Sequence, residues 1–288
     1  MKQLLILSGK GGTGKTTVAS AFIKLSKARA YADCDVDAPN LHLSMRERKD
    51  PQRKDYIGMS KAAIDSTLCI NCGECLKHCR FDAISVKNET HVVNPFACEG
   101  CAVCQLVCPV NAISFYPNVA GSLNLYKDKE KVFSTAQLKM GNGTTGLLVS
   151  EVKKQLNNEA QDTDFAIIDG SPGIGCPVIA SISGVEMVLV VAEPSISGIS
   201  DMVRVIEVSQ AFGVKIAVCI NKYDANKEKT REIIDYCDRN KIPFVGNIPY
   251  DSLATRALNS GLSIVEMACS SGTAVRNVYR RTMQIFSS

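Results

Sequence analysis

Tryptophan is absent from this sequence of 288 residues, and the aromatic residues together make up only 6% of it. Charge of one sign is also scarce, because 33 Lys and Arg residues against 29 Asp and Glu residues leave a formal net charge of +4. An excess this small and dispersed gives no indication of nucleic-acid binding, which needs a concentrated basic surface. No apolar run approaches the roughly 18 residues that a membrane-spanning helix requires.

The sequence also leaves no room for a secretory signal. A glycine-rich loop begins within ten residues of Met1, after an apolar run of only four residues. We therefore expect a cytoplasmic protein, in which the thirteen cysteines do not form a disulfide framework. The apolar fraction of 45% is sufficient for a large buried core.

The stretch with the clearest chemistry is the glycine-rich loop of residues 9–16, which follows the apolar run Leu4–Leu7 and precedes a run with helical spacing. It fits G-x-x-x-x-G-K-[ST], in which backbone N–H groups and a helix N-terminus surround phosphate oxygens. Lys15 is expected to reach the β- and γ-phosphates, Thr16 a magnesium ion, and Thr17 the α-phosphate. The predicted nucleotide-binding residues of this loop are Gly11, Gly12, Thr13, Gly14, Lys15, Thr16 and Thr17.

Lys10 stands directly after the first glycine, and this makes the loop resemble the deviant phosphate loop of the ParA/MinD family. The resemblance implies an ATPase that dimerises with ATP, in which Lys10 crosses to the partner's nucleotide. A lysine that pairs with the phosphate of its own subunit is the alternative. The resemblance also implies that Asp35 orients or deprotonates the attacking water and that Asp33 lies nearer the magnesium ion, whereas an acidic helix cap is the alternative for these carboxylates.

Further segments match the same family. Phe165–Asp169 reads as a buried strand that ends in the carboxylate of a Walker B element, and the resemblance makes residues 170–173 switch II. Asn221 resembles the family's base-recognition asparagine, with Pro249 and Asp251 in the second wall of the base pocket. The string N-K-x-D at 221–224 also occurs in GTPases, so GTP is the alternative to ATP.

Apolar strands alternate with helical stretches along most of the chain. This order predicts an α/β fold with a mainly parallel sheet covered by helices on both faces, and with ligands at the carboxyl ends of the strands. The predicted strands are Gln3–Ser8, Arg29–Asp33, Asp164–Asp169, Met187–Ala192, Lys215–Asn221 and Phe244–Ile248, and two predicted helices are Asp201–Phe212 and Lys227–Arg239.

Eight cysteines form two runs of the pattern C-x2-C-x2-C-x3-C, which is typical of two-cluster ferredoxins. Zinc is the alternative, but it has no use for two near-identical sets of four thiolates. The pattern predicts two 4Fe–4S clusters, one held by Cys69, Cys72, Cys75 and Cys108, the other by Cys98, Cys101, Cys104 and Cys79. The repeat predicts an α+β ferredoxin-like domain at residues 61–117, inserted into an ATPase domain of residues 1–60 and 118–288.

The whole chain therefore resembles a ParA/MinD-superfamily P-loop ATPase that carries an inserted two-cluster ferredoxin domain, with the nitrogenase iron protein and iron–sulfur assembly carriers among its relatives. The resemblance implies a homodimer, or a heterodimer with a similar ATPase, that couples ATP hydrolysis to electron transfer toward a redox or cofactor-accepting protein partner. An ATP-dependent carrier of clusters or a metal cofactor is one alternative. A MinD-like positioning protein is another alternative. It is favoured if the apolar stripe near the C-terminus lies on a membrane, and disfavoured if the stripe packs on the sheet. The stripe consists of Val275, Val278, Tyr279, Met283 and Phe286.

Two smaller features stay open from the sequence. A basic stretch reads as a solvated hairpin or linker, with a dock for an acidic redox partner as the alternative: Arg46, Arg48, Lys49, Arg53 and Lys54. Cys176, seven residues after Asp169, reads as a buried structural thiol. The competing hypothesis is a transient metal ligand, or a residue on the route to a bound partner, at the dimer face.

Overall fold

The structure is a computed structural model that describes residues 1–45 and 50–288. Three members of the predicted basic stretch, Arg46, Arg48 and Lys49, lie outside the described residues. The described residues form two compact units. The first unit comprises Met1–Arg53, Leu123–Gln137 and Gly146–Ser288, and the second comprises Lys54–Ser122 and Leu138–Thr145.

The strands in chain order are β1 (Lys2–Leu7), β2 (Ala30–Asp33), β3 (Gln52–Ile57), β4 (Lys61–Ile64), β5 (Ile84–Lys87), β6 (Thr90–Val93), β7 (Ile113–Tyr116), β8 (Val119–Lys127), β9 (Val132–Leu138), β10 (Phe165–Asp169), β11 (Met187–Ala192), β12 (Lys215–Asn221) and β13 (Phe244–Ile248). The α-helices are α1 (Lys15–Ser26), α2 (Leu41–Ser44), α3 (Glu74–His78), α4 (Val103–Leu106), α5 (Thr145–Glu159), α6 (Cys176–Ile182), α7 (Ile196–Ala211), α8 (Lys227–Arg239), α9 (Ser252–Asn259) and α10 (Ser270–Ser287).

The first unit is built on a mainly parallel sheet with the strand order β13-β12-β11-β1-β10-β2-β9-β8. Strand β1 lies between β10 and β11 and is parallel to both, with Ile6 opposite Asp169 on one side and Leu189 on the other. Residues 4–7 of β1 have no exposed surface, as expected for a parallel strand that is covered on both faces. The prediction of a mainly parallel α/β sheet with flanking helices is confirmed.

Helix α7 begins at Ile196, five residues before the predicted start at Asp201. Ser195 is the N-cap residue, and its hydroxyl accepts a hydrogen bond from the N–H of Gly198 at 3.0 Å. Such a bond satisfies one of the free donors of the first helical turn. Gly198 cannot carry a side chain, because a Cβ atom there would collide with the carbonyl oxygen of Glu193. The helix therefore starts in close contact with the end of β11.

The C-terminal helix α10 packs into the core of the first unit. Val275, Val278 and Phe286 are buried in the same apolar cluster as the residues of β1. The ring of Tyr279 lies edge-on to Phe22 at a centroid distance of 5.1 Å. The apolar stripe that could have faced a membrane thus packs within the unit. None of the helices in the described part of the chain combines the length and apolar character that a membrane-spanning helix needs.

The second unit contains short antiparallel pairs, β4 with β7 and β5 with β6, and the two short helices α3 and α4. The two halves of its internal sequence repeat have matching backbone conformations. Asp82 and Asn111, at matching positions, both adopt the left-handed conformation with φ of 49° and 53°. The next N–H group in each half donates to a thiol, from Ala83 to Cys79 Sγ at 3.4 Å and from Ala112 to Cys108 Sγ at 3.3 Å. The two halves therefore share one local fold.

Candidate nucleotide-binding site

A cavity of about 340 Å³ opens at the carboxyl edge of the sheet in the first unit. Its volume falls within the usual range for small-molecule sites. Most of the residues predicted to bind nucleotide line it: Gly11, Gly12, Thr13, Gly14, Lys15, Thr16, Thr17, Asp35, Asn221, Pro249 and Asp251. The structure therefore brings together in one place segments that are more than 200 residues apart in the sequence.

The start of helix α1 presents its free N–H groups to this cavity. The helix begins at Lys15, directly after Gly14, which has a left-handed φ of 88°. A Cβ atom at Gly14 would collide with the side-chain amide of Asn221, so the glycine also permits close approach of β12. The first turn contains no acidic residue. Its unpaired N–H groups and its positive dipole end are thus available to an anion.

Lys15 is held in place by Asp169. Its ammonium group lies 2.6 Å from Asp169 Oδ1, and the two side chains are 6% and 0% exposed. Burial alone lowers the pKa of Lys15, but the charges of Asp169 and Asp33 outweigh it and raise that pKa. The lysine is therefore charged beneath the phosphate loop, as phosphate binding requires.

The second oxygen of Asp169 provides a test for magnesium. Asp169 Oδ2 is buried and has no hydrogen-bond partner among the described residues. A buried carboxylate oxygen without a partner is costly unless something else occupies it. A magnesium ion takes oxygen ligands and keeps several waters, so one or two side chains suffice. Asp169, together with the half-buried Thr16 at the start of α1, fits such an ion.

Asp33 uses both of its oxygens within its own loop. Oδ1 accepts from the N–H of Asp35 at 3.0 Å, and Oδ2 accepts from the N–H groups of Asn40 and Leu41 at 2.9 and 3.0 Å. Burial and the charge of Asp169 raise the pKa of Asp33 to about 7, against the opposing effects of Lys15 and of these hydrogen bonds. Asp33 thus holds residues 33–40, the segment that the ParA/MinD resemblance makes switch I, in their turn. Its predicted contact with magnesium stays a prediction.

Asp35 lines the cavity and is only partly buried. Its pKa is raised, mainly by burial and by the charge of Asp169, although Lys15 opposes this effect. A carboxylate with a raised pKa is better suited to accept a proton from water than a fully exposed one.

The two switch segments are joined directly. The Ser171 hydroxyl donates to the carbonyl oxygen of Cys34 at 2.6 Å. Switch II also contacts the residue between β1 and the phosphate loop, because Gly173 N–H donates to the carbonyl oxygen of Ser8 at 3.0 Å. Cys34 itself is fully buried, and burial raises its pKa to about 12. Hydrogen bonds therefore join Cys34 to residues 170–173, and residues 170–173 to Ser8, which directly precedes the phosphate loop.

The segment 221–224 fastens β12 to the phosphate loop. Asn221 Nδ2 donates to the carbonyl oxygen of Thr13 at 2.6 Å, and Lys222 Nζ donates to that of Gly12 at 3.0 Å. Each amide end of Asn221 still has one hydrogen-bonding position, because an amide nitrogen carries two hydrogens and its oxygen two lone pairs. Asp224, the residue that would read guanine under the GTP alternative, accepts from the N–H of Tyr250 at 2.8 Å.

Asp251 caps a helix, a structural role that was not predicted from the sequence. It is the N-cap of α9, with its Oδ1 accepting from Leu253 N–H at 3.0 Å. Its Oδ2 accepts from the Ser271 hydroxyl at 3.1 Å, at the start of α10. An aspartate directly before a helical run is the sequence signal that could have revealed this cap.

Lys10 does not line the cavity. Its ammonium group lies 3.2 Å from Glu193 Oε2 and 3.1 Å from the hydroxyl of Ser195. The predicted contact across a dimer and the alternative contact with its own phosphate both stay predictions. Glu193 was missed by the sequence reasoning, although a carboxylate directly after a buried parallel strand is a usable signal.

The cysteines of the second unit line two small cavities. Cys79, Cys98, Cys101 and Cys104 line one, and Cys69, Cys72, Cys75 and Cys108 line the other. In the part of the chain that the structure describes, however, no group of three or more His, Cys, Asp or Glu side chains is arranged to hold a metal ion. This finding contradicts the prediction of two 4Fe–4S clusters and of electron transfer from them, because cluster ligation needs converging thiolates. The redox coupling and the cluster-carrier alternative that depended on these cofactors are corrected with it.

Cys176 is exposed at the start of α6. The interpretation as a buried structural thiol is therefore wrong. Its proposed place on a route from ferredoxin clusters loses its basis with the clusters, and no function is assigned to it.

Known proteins share the domain family and the fold of this chain. Residues 4–264 match the model of the CobQ/CobB/MinD/ParA nucleotide binding domain. An uncharacterized protein of Methanocaldococcus jannaschii is 32% identical over 78% of this chain and 79% of its own length.

Among solved structures, the chain resembles the MinC:MinD cell division protein complex of Aquifex aeolicus, with 18% identity, a TM-score of 0.58, and coverage of 99% and 96% of the two chains. It equally resembles the septum site-determining protein MinD of Pyrococcus horikoshii complexed with Mg-ADP, with 18% identity, a TM-score of 0.58, and coverage of 99% and 96%. At this identity the two structures support the fold alone.

Proposed function

Since the chain belongs to the CobQ/CobB/MinD/ParA family of nucleotide-binding domains, we propose that it binds and hydrolyses ATP with magnesium and uses the nucleotide to control association with a second copy. The observation that carries the proposal is the buried Lys15–Asp169 pair beneath the phosphate loop, at the wall of a 340 Å³ cavity. A buried cation beside a helix N-terminus is the combination that polyphosphates require.

The residues of the site have defined roles in this proposal. The N–H groups of residues 11–17 and the Lys15 ammonium bind the phosphates. Asp35 receives the proton of the attacking water, and its raised pKa supports this part. Thr16 and the unpartnered Asp169 Oδ2 would hold a magnesium ion, which would neutralise charge on the phosphate oxygens. Asp33 is predicted to lie near that ion.

Base recognition falls to Asn221, Pro249 and Asp251. The bond from Asn221 to the Thr13 carbonyl fixes the asparagine against the phosphate loop, and its remaining amide hydrogen and oxygen lone pair suit the edge of adenine. A phosphate loop with a lysine directly after its first glycine resembles that of the ParA/MinD ATPases, which supports ATP over GTP.

The second unit is, in this proposal, a ferredoxin-like insert that supplies the contact with a protein partner. Its matched half-repeats support the fold, and several large apolar side chains on its surface support the contact: Leu68, Ile70, Phe96 and Leu106 are at least 53% exposed. A related solved structure pairs MinD with MinC. We include in the proposal that the protein acts in the cytoplasm.

The proposal is tested by phosphate release and sedimentation velocity on the purified full-length chain with Mg²⁺ and ATP, ADP or GTP. We expect hydrolysis of ATP, and faster sedimentation with ATP than with ADP. Lys10→Ala should bind ATP and remain a monomer, whereas Lys154→Ala, which removes an exposed lysine on α5, should behave as the wild type. An equal sedimentation rate with ATP and with ADP would overturn the proposed association. A lack of phosphate release from ATP would overturn the proposed hydrolysis.

A further inference from the structure

Glu193 lies between two lysines at the mouth of the phosphate loop. Its Oε2 is 3.2 Å from Lys10 Nζ, and its Oε1 is 3.4 Å from Lys222 Nζ. The Lys10 ammonium also reaches two hydroxyl groups, those of Ser195 at 3.1 Å and Ser197 at 3.3 Å. One carboxylate therefore restrains two cations that are more than 200 residues apart in the sequence.

The position of Lys10 is electrostatically unfavourable without Glu193. Ser195 and Ser197 belong to the N-cap and first turn of α7, a 16-residue helix whose N-terminus carries a partial positive charge. A cation at this end of a helix is repelled, and the two hydroxyls compensate only as neutral acceptors. The Glu193 carboxylate is thus the charged group that makes this place tolerable for Lys10. Burial alone would raise the pKa of Glu193, but Lys10 and Lys222 hold it below its usual value.

Glu193 itself is fixed by the backbone around it. Ser195 N–H donates to the Glu193 carbonyl oxygen at 2.8 Å, and Gly198 lets the helix approach that carbonyl closely. Its carboxylate is 22% exposed, so the contact with Lys10 is formed at the surface but is partly shielded from water. Pairs of this kind are weak enough to exchange for a stronger anion.

We propose that Glu193 is a positioning residue that holds Lys10 against its own subunit until a nucleotide phosphate competes for the lysine. The contact sets the threshold for ATP-dependent association, because Lys10 must leave Glu193 before it can reach a phosphate. This inference deepens the proposed function and rests on its assignment of Lys10 to the phosphates. Lys222 stays on the Gly12 carbonyl after Lys10 has left.

Lysine acetylation without nucleotide tests the contact by itself. Acetic acid N-hydroxysuccinimide ester is added briefly to the full-length wild type and to Glu193→Gln, and the modification rate of Lys10 is read by mass spectrometry. We expect Lys10 to react about two to five times faster in Glu193→Gln, because a factor of this size corresponds to the small free energy of a partly exposed ion pair. Glu193→Asp should restore part of the protection. Glu151→Gln, which removes the carboxylate of a more exposed pair with Lys154 on α5, should leave the Lys10 rate unchanged. An equal Lys10 rate in wild type and Glu193→Gln overturns the proposal.

Association with ATP tests the consequence. The protein concentration for half-maximal ATP-dependent association should fall about two- to fivefold in Glu193→Gln. Lys10→Ala should stay monomeric with ATP, and adding Glu193→Gln to it should not restore association. Association of this double variant would mean that Glu193 acts through Lys222 or through the fold, and would overturn the proposal. If the wild type does not associate with ATP at all while its Lys10 protection depends on Glu193, the proposed function fails and the contact stands.

Discussion

Replacing Lys15 by methionine tests the buried charge pair beneath the phosphate loop. Methionine has a similar length but no charge, so Lys15→Met leaves the carboxylates of Asp169 and Asp33 buried without their cation. Both carboxylates are 0% exposed. Removing one partner of a buried ion pair costs about 3–5 kcal/mol, because the remaining charge is desolvated and uncompensated. We therefore expect the free energy of unfolding to fall by about 3–5 kcal/mol at pH 8 and ATP turnover to be lost.

The assay is urea denaturation followed by circular dichroism, together with phosphate release. Asp33 has a pKa of about 7, so a proton can relieve part of the repulsion at lower pH. The destabilisation should consequently be smaller at pH 5.5 than at pH 8. Adding Asp169→Asn to Lys15→Met should recover stability but not turnover, because it removes the stranded charge and restores no phosphate ligand.

Lys154→Met provides the matched control, since Lys154 forms an exposed pair with Glu151 on α5 and its loss should not change the unfolding curve. A loss of less than about 1 kcal/mol in Lys15→Met would refute the reasoning, because it would place the pair in the class of surface ion pairs. So would a double variant that is less stable than Lys15→Met alone.

Three further predictions concern the same site. The pKa of Asp33 is higher in the folded chain than its ordinary 3.8, so its contribution to stability is fully present below about pH 4 and is lost as the pH rises through about 7. Urea titrations from pH 5 to 8 should therefore show a falling free energy of unfolding in the wild type and a smaller slope in Asp33→Asn. Equal slopes would contradict the assignment. Asn221→Ala leaves the Thr13 carbonyl without its donor and should raise the Kd for ATP about tenfold in calorimetry, corresponding to roughly 1.4 kcal/mol; an unchanged Kd would remove Asn221 from the base pocket. Asp35→Asn should keep the Kd for ATP within about twofold and lower turnover about 10²- to 10³-fold in single-turnover hydrolysis, as loss of a general base does; wild-type turnover would exclude Asp35 as the base.

The parallel sheet was predictable because its strands are buried on both faces and read as continuous apolar runs. β11 and β12 begin and end at the predicted residues. β3 was not predicted as a strand, because most of its residues are exposed and its sequence carries no apolar run. The early start of α7 was not predicted, because its cap depends on one serine and on a glycine that packs against Glu193.

The phosphate loop was predictable because one contiguous motif specifies its turn, its glycines and its helix. Contacts made by tertiary folding were not. Lys10 and Glu193 are 183 residues apart, and nothing local in either segment indicates that their side chains meet. The cysteine spacing led to the cluster prediction, since spacing specifies which residues are near one another but not that their thiols converge on one metal position.

The most direct measurement of the central claim is titration calorimetry of Mg-ATP into the full-length chain and into Lys15→Met at the same concentrations. We predict one ATP bound per wild-type chain and no measurable heat of binding for Lys15→Met, because the ammonium group at the wall of the 340 Å³ cavity is the principal charged ligand of the phosphates. Equal affinity in the two proteins would contradict the claim that this cavity is the nucleotide site.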